Sequence, residues 1–129
     1  MKYLCLIRAE KLLEQVPPEC AARHYEAYQQ FAREVRQSGH YVASNRLLPP
    51  EQGTTIRVRQ GRVTVTDGPY IETKEQLGGY FLIDARDLNE AIQVAARIPG
   101  ATIGSVEVRP VAEDTRTMEM LGLEEVRPM

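Results

Sequence analysis

The sequence predicts an α+β domain on the ferredoxin-like plan, two β-α-β halves with a β-hairpin inserted between them. Three observations predict it. Residues 2–8 (KYLCLIR) and 79–85 (GYFLIDA) carry apolar side chains on both alternating faces, as strands covered on both sides do. Two stretches of helical period, 16–40 and 87–100, each follow one of those strands. Between the halves, TIRVR (55–59) and RVTVT (62–66) flank a two-residue Gln60-Gly61 turn.

Each element has its own signals. In the first strand Tyr3, Cys5 and Ile7 alternate with Leu4 and Leu6. The first helix opens at Pro17-Pro18 and stops at Gly39, the residue that most readily ends a helix. Its inner stripe is His24, Tyr28, Phe31 and Val35. YVASNRLLP (41–49) reads as a second strand closed by Pro49-Pro50. Pairing Arg59 with Arg62 in the hairpin sets Val58 against Val63 and Ile56 against Val65, one shared apolar face. Two arginines then sit side by side at the turn. Asp87 caps the second helix with Glu90 three residues on, and Leu88, Ala91, Ile92 and Ala95 form its expected stripe before Pro99-Gly100. SVEVRPV (105–111) is the last strand, Val106 and Val108 inward. The domain is expected to span 1–111, and 112–129 to be a tail packing on the body or on a partner subunit.

Two helices cover one face of such a sheet, yet its central strands are apolar on both. The bare face calls for a second copy of the chain, so a homodimer with sheets face to face is expected.

Composition removes several function classes. The 129 residues suit one domain, and a 26% charged, 43% hydrophobic composition is that of an ordinary globular protein. Sixteen basic against 18 acidic residues, a formal charge of −2, give no footprint for nucleic acid. No apolar run approaches the ~20 residues that span a bilayer, and the N-terminal run stops at Arg8, too early for a signal-peptide core. Cys5 and Cys20 read as reduced thiols of a cytoplasmic protein. With two histidines and no Cys/His pair at ligand spacing, no metal site is expected. Nor is a cofactor: phosphate-binding glycine loops, nucleophile elbows and metal-binding helix motifs are all missing from the sequence.

The chemistry-bearing stretch is TDGPYIETKEQLGGYF (66–81). Asp67-Gly68-Pro69 is turn chemistry, and Gly78-Gly79 admits a bulge or a close backbone approach. Between them Glu72, Lys74 and Glu75 lack apolar periodicity. They read as a solvated loop with weak ion pairs, or as a loop folded over the sheet beside the hairpin arginines, where desolvation would shift their pKa values. His24 divides the same way. On an apolar helix stripe it is a boundary histidine; paired with Asp67 it gains the orienting carboxylate of a general acid or base. His40 sits favourably at the end of the first helix dipole.

VTDGPYIETKEQLGGYFLIDARDLNEAIQVAARIPG (65–100), GSVEVRPV, MKYLCLI and the hairpin together resemble the YCII-related family, in the subgroup named for an Asp-Gly-Pro-Phe (DGPF) motif. Tyr70 stands where the subgroup name has Phe. The resemblance implies a dimeric α+β barrel, a His/Asp active site of the kind proposed for relatives, and an association with extracytoplasmic-function sigma factors. The expected function is binding of a small polar metabolite, with His24 and Asp67 as an acid-base pair. Tyr70, Glu72, Lys74, Glu75 and Arg57 are its expected ligand contacts, and Gly68, Pro69, Gly78 and Gly79 shape the loop. The alternative is a non-catalytic module, a ligand sensor or a protein partner in sigma-factor-dependent transcription.

Overall fold

The computed structural model describes residues 1–10, 16–68 and 74–122. Strands β1 (Lys2–Ala9), β2 (Tyr41–Arg46), β5 (Gln76–Asp84) and β6 (Ser105–Pro110) form one antiparallel sheet in the order β2-β5-β1-β6. Helices α1 (Pro18–Gln37) and α2 (Leu88–Ala95) connect β1 to β2 and β5 to β6. This element order and strand order fit the ferredoxin-like plan. Strands β3 (Thr54–Arg59) and β4 (Arg62–Asp67) make a separate two-stranded sheet.

Helix α1 starts at Pro18, whose missing N–H leaves no extra unpaired donor in the first turn. It ends in a Schellman motif. Gly39 takes φ 81°, its N–H donates to Arg36 O, and the His40 N–H donates to Val35 O. Helix α2 is capped as expected, the Asp87 carboxylate accepting from the Glu90 N–H at 2.9 Å. The Glu90 side chain reaches back to the Arg86 N–H rather than to that of Asp87.

The core lies between the sheet and both helices. Tyr3 and Cys5 from β1, Phe81 and Ile83 from β5, Phe31 and Val35 from α1, and Val94 and Ile98 fill it. Phe81 is the hub, with Phe31 edge-on at 5.1 Å and Tyr28 stacked parallel at 6.3 Å. The expected α2 stripe is corrected in part. Ala91 and Ala95 are buried, but Leu88 and Ile92 are each 49% exposed, and Val94 and Ile98 replace them. Positions 91, 94, 95 and 98 lie on one helical face, and Leu88 and Ile92 flank it. The helix also ends at Ala95, ahead of a 3-10 turn over Pro99–Thr102.

Two β-bulges change which residues face the helices. Ile7 pairs with Gly79 and Arg8 with Leu77, so Gly78 is an extra residue in β5. Tyr41 pairs with Ile83 and Ala43 with Leu82, so Val42 is extra in β2. Beyond each bulge the alternation is inverted. Leu77 therefore joins Leu4, Leu6, Tyr80 and Leu82 on the face away from the helices, while Ser44 and Arg46 turn toward them.

The hairpin has the register read from the sequence: Arg59 opposite Arg62, Val58 opposite Val63, Ile56 opposite Val65. Gln60 and Gly61 both take positive φ, 51° and 75°, as a type I′ turn requires. Past β6, Glu113 accepts the Lys2 N–H, and Asp114 caps a short helix α3 (Thr115–Met120). Met120 and Leu121 are 75% and 60% exposed, so this part of the tail does not bury them on its own chain.

Candidate functional site

Where Phe81 fills the layer between sheet and helix, the core is tight. Toward the N-terminal half of α1 the sheet offers small residues, Ala9, Ser44 and Gly79, beside Ile7, and the layer opens into a cavity of about 430 Å³. That volume lies within the ~300–1,000 Å³ usual for small-molecule sites. Gly79 is required by packing: a Cβ there would stand 2.8 Å from the Asn45 carbonyl oxygen. The helix wall is Cys20, His24 and Tyr28, successive turns of one face. Gly100 and Ile103 line it as well, and Arg46 at the end of β2 and Leu47 just after it border it on the sheet side.

His24 and Tyr28 supply the polar chemistry. Their rings meet edge to face at 4.9 Å. Burial alone pulls the His24 pKa below the ordinary histidine value, so at neutral pH the ring is an uncharged imidazole with a basic nitrogen. Burial raises the Tyr28 pKa, opposed in part by the Gly100 N–H that its hydroxyl oxygen accepts at 3.2 Å. Tyr28 therefore keeps its proton and can donate it. The wall combines a proton acceptor and a proton donor one helical turn apart, in a lining that is otherwise mostly apolar.

The expected site residues divide. His24, Gly78 and Gly79 line the cavity. Asp67, at the end of β4 opposite Thr54, is not in that lining, and no hydrogen bond or ion pair joins it to His24. Gly68 takes φ 89°, its N–H donating to Gly53 O and its carbonyl accepting from the Thr55 hydroxyl, which fastens the hairpin base. Lys74 pairs with Glu10 at 3.1 Å on the surface, 86% exposed. Glu75 accepts from the Ser105 hydroxyl at 2.7 Å. Arg57 is on the hairpin, outside the cavity. Pro69, Tyr70 and Glu72 lie outside the described residues.

Reading the sequence missed Tyr28, Arg46 and Cys20 as site residues. Tyr28 was legible as a core position, and its place one turn after His24 was the available signal. Arg46 was not legible, because the Val42 bulge decides which face it takes. His40 is also better tied than its place near the helix end suggested. Its Nε2 stands 3.3 Å from Glu90 Oε1 and its Nδ1 is 2.7 Å from the Ser38 hydroxyl, linking the end of α1 to the start of α2. Among the described residues no cluster of His, Cys, Asp and Glu could hold a metal ion, and no helix is long and apolar enough to cross a membrane.

Fold and cavity together define a small α+β domain with a pocket between its sheet and first helix. The chain belongs to the YCII-related domain family, whose model matches residues 1–115. It is 42% identical over 82 residues to an uncharacterised protein of Rhizobium meliloti (strain 1021), a match covering 62% of this chain and 66% of that relative.

Proposed function

We propose that the protein binds a small molecule with an apolar body and a polar or anionic head in the cavity beneath α1, and that His24 acts there as a general acid-base. The carrying observation is the partly buried His24 imidazole in edge-to-face contact with the Tyr28 ring, both on the wall of that cavity. The expected polar metabolite becomes an amphipathic one because the lining is mostly apolar, with Arg46 as the cation for its head. In this scheme His24 takes a proton from the bound ligand while the Tyr28 hydroxyl donates to the oxygen on which charge develops. Asp67, Tyr70, Glu72 and Glu75 are kept in the proposal as site residues expected from the sequence. In this reading Asp67 partners His24 only in the ligand-bound state, since the two are not bonded in the structure.

The test uses benzoate, acetate and benzyl alcohol as probes, followed by amide NMR. Saturable shifts at Gly79 and Gly100 with benzoate but not acetate support the reading, and no shift there with any aromatic probe sinks it. Asp67→Asn tests the pairing, since an unchanged His24 titration in that variant removes Asp67 from the mechanism.

The proposal also takes the chain as a cytoplasmic member of the DGPF subgroup, on its Asp67-Gly68-Pro69 motif. It takes the functional unit as a homodimer of barrel type, with sheets face to face through Leu4, Leu6, Tyr80 and Leu82. A second reading is a ligand-sensing or protein-interaction module in sigma-factor-dependent transcription. The high exposure of Lys74 favours it, since a recognition loop must face solvent. Recovery of a sigma factor in a pull-down, lost on charge reversal at Glu72 and Glu75, selects that reading.

A further inference from the structure

The hairpin is patterned for burial that the other described residues do not provide. Ile56 and Val58 on β3 face Val65 and Val63 on β4, and the alternate positions are Thr55, Arg57, Thr64 and Thr66. Such apolar/polar alternation belongs to a sheet with one covered face. Yet Ile56, Val58, Val63 and Val65 are 64%, 55%, 65% and 62% exposed, and the hairpin is hydrogen-bonded to neither edge of the main sheet. A lone two-stranded hairpin is at best marginally stable in water, so an apolar face held open in this way needs a covering surface.

We infer that the hairpin is a dimer arm whose apolar face docks on a second copy of this chain. This rests on the homodimer proposed above and goes beyond it, because the sheet face does not suffice alone. Four strands about 4.8 Å apart and about six residues long give a face of roughly 400 Å², half of the ~800 Å² per partner in a standard stable interface. A hairpin face is about half as large, roughly 200 Å². In a two-fold dimer each protomer both offers its own arm and receives its partner's, so the arm adds its area twice to each side. The two contributions together reach about 800 Å². On the polar side Thr55 and Arg57 are half-buried against their own chain, while Thr64 and Thr66 stay exposed.

Sedimentation equilibrium on the full chain tests this with wild type, the double variant V63E/V65E and the milder V63T/V65T. The four apolar positions are exposed in the chain, so neither variant removes a core contact, and far-UV circular dichroism checks the fold. The inference expects a wild-type dimer, a dissociation constant raised at least about 100-fold in V63E/V65E, and an intermediate rise of about 10-fold in V63T/V65T, which keeps the β-branched shape. A wild-type dimer whose dissociation constant is unchanged in both variants overturns the arm while leaving the face-to-face dimer standing. A monomeric wild type overturns both and leaves the hairpin face to a different protein.

Discussion

His24 sits where α1 turns a histidine toward an apolar cavity, and its titration reports that environment. Because its folded pKa is below the ordinary value, the unfolded chain binds the proton more readily. Stability from this group is therefore complete above the ordinary histidine value and is lost as pH falls through the folded value. Urea midpoints compared near pH 7.5 and 5.5 should drop for wild type and drop less for His24→Gln. NMR titration should place the His24 midpoint below that of a model histidine; a raised midpoint would point to a carboxylate partner. The two cysteines differ in the same physical terms. Cys5 is buried between sheet and helix, and burial pushes its thiol up to about 11, whereas Cys20 is exposed at the cavity mouth. A thiol-specific disulfide reagent should titrate one group in the native protein and both in denaturant. Two fast native thiols would mean that β1 opens readily. The stripe from His24 to Val35 was legible in the sequence, because helical periodicity alone puts those side chains on one face. What the histidine faces was not, since Ala9 and Gly79 become a cavity floor only when two other strands are set beside each other.

At the scale of elements, end signals were the most legible feature, because they are local. Pro18 opens α1, Gly39 closes it, and Asp87 caps α2 through the Glu90 N–H. Asp87→Ala should lower stability by about 1 kcal/mol, read from urea unfolding with unchanged m-value. Strand faces were less legible wherever a bulge intervenes. Gly78 and Val42 each insert one residue, and no period-2 reading places Leu77 or Arg46 on its true face. Gly79 shows what such a junction demands. Gly79→Ala brings a methyl against the Asn45 carbonyl, and overpacking of this kind should cost about 1–3 kcal/mol. The same urea experiment checks it, and a neutral result would mean that β2 moves away without penalty. The register of β3 with β4 was derivable in full, because a two-residue turn leaves one pairing that puts all four aliphatics together.

For the whole molecule, the decisive property is how much apolar surface one copy leaves uncovered. Leu4, Leu6, Tyr80 and Leu82 lie on the open side of the sheet, and four aliphatics of the hairpin are more than half exposed. If a second copy covers them, folding and association are linked. The melting temperature should then rise by several degrees over a roughly hundredfold increase in protein concentration, as mass action requires. Calorimetry across that range checks it, and a concentration-independent melt would describe a self-sufficient monomer. The His40 and Glu90 contact acts at this scale too, tying the two β-α-β halves. Hydrogen bonds from the Arg86 N–H and from His40 lower the Glu90 pKa, so that tie is present above the ordinary glutamate value and weakens as pH falls through the folded value.

By itself the sequence determined the order of the strands and of the two main helices, both ends of α1, the start of α2, the hairpin register and a helix face bearing His24, Tyr28, Phe31 and Val35. These follow from periodicity, capping and turn chemistry, which act over a few neighbouring residues. Only the tertiary structure decided that His24 looks into a mostly apolar cavity, that Tyr28 and Arg46 share it, and that Lys74 and Glu75 bond to Glu10 and Ser105 instead. Those outcomes depend on strand order, on two bulges and on the absence of a side chain at Gly79. Such features come from backbones distant in sequence meeting at close range, and no local pattern encodes them.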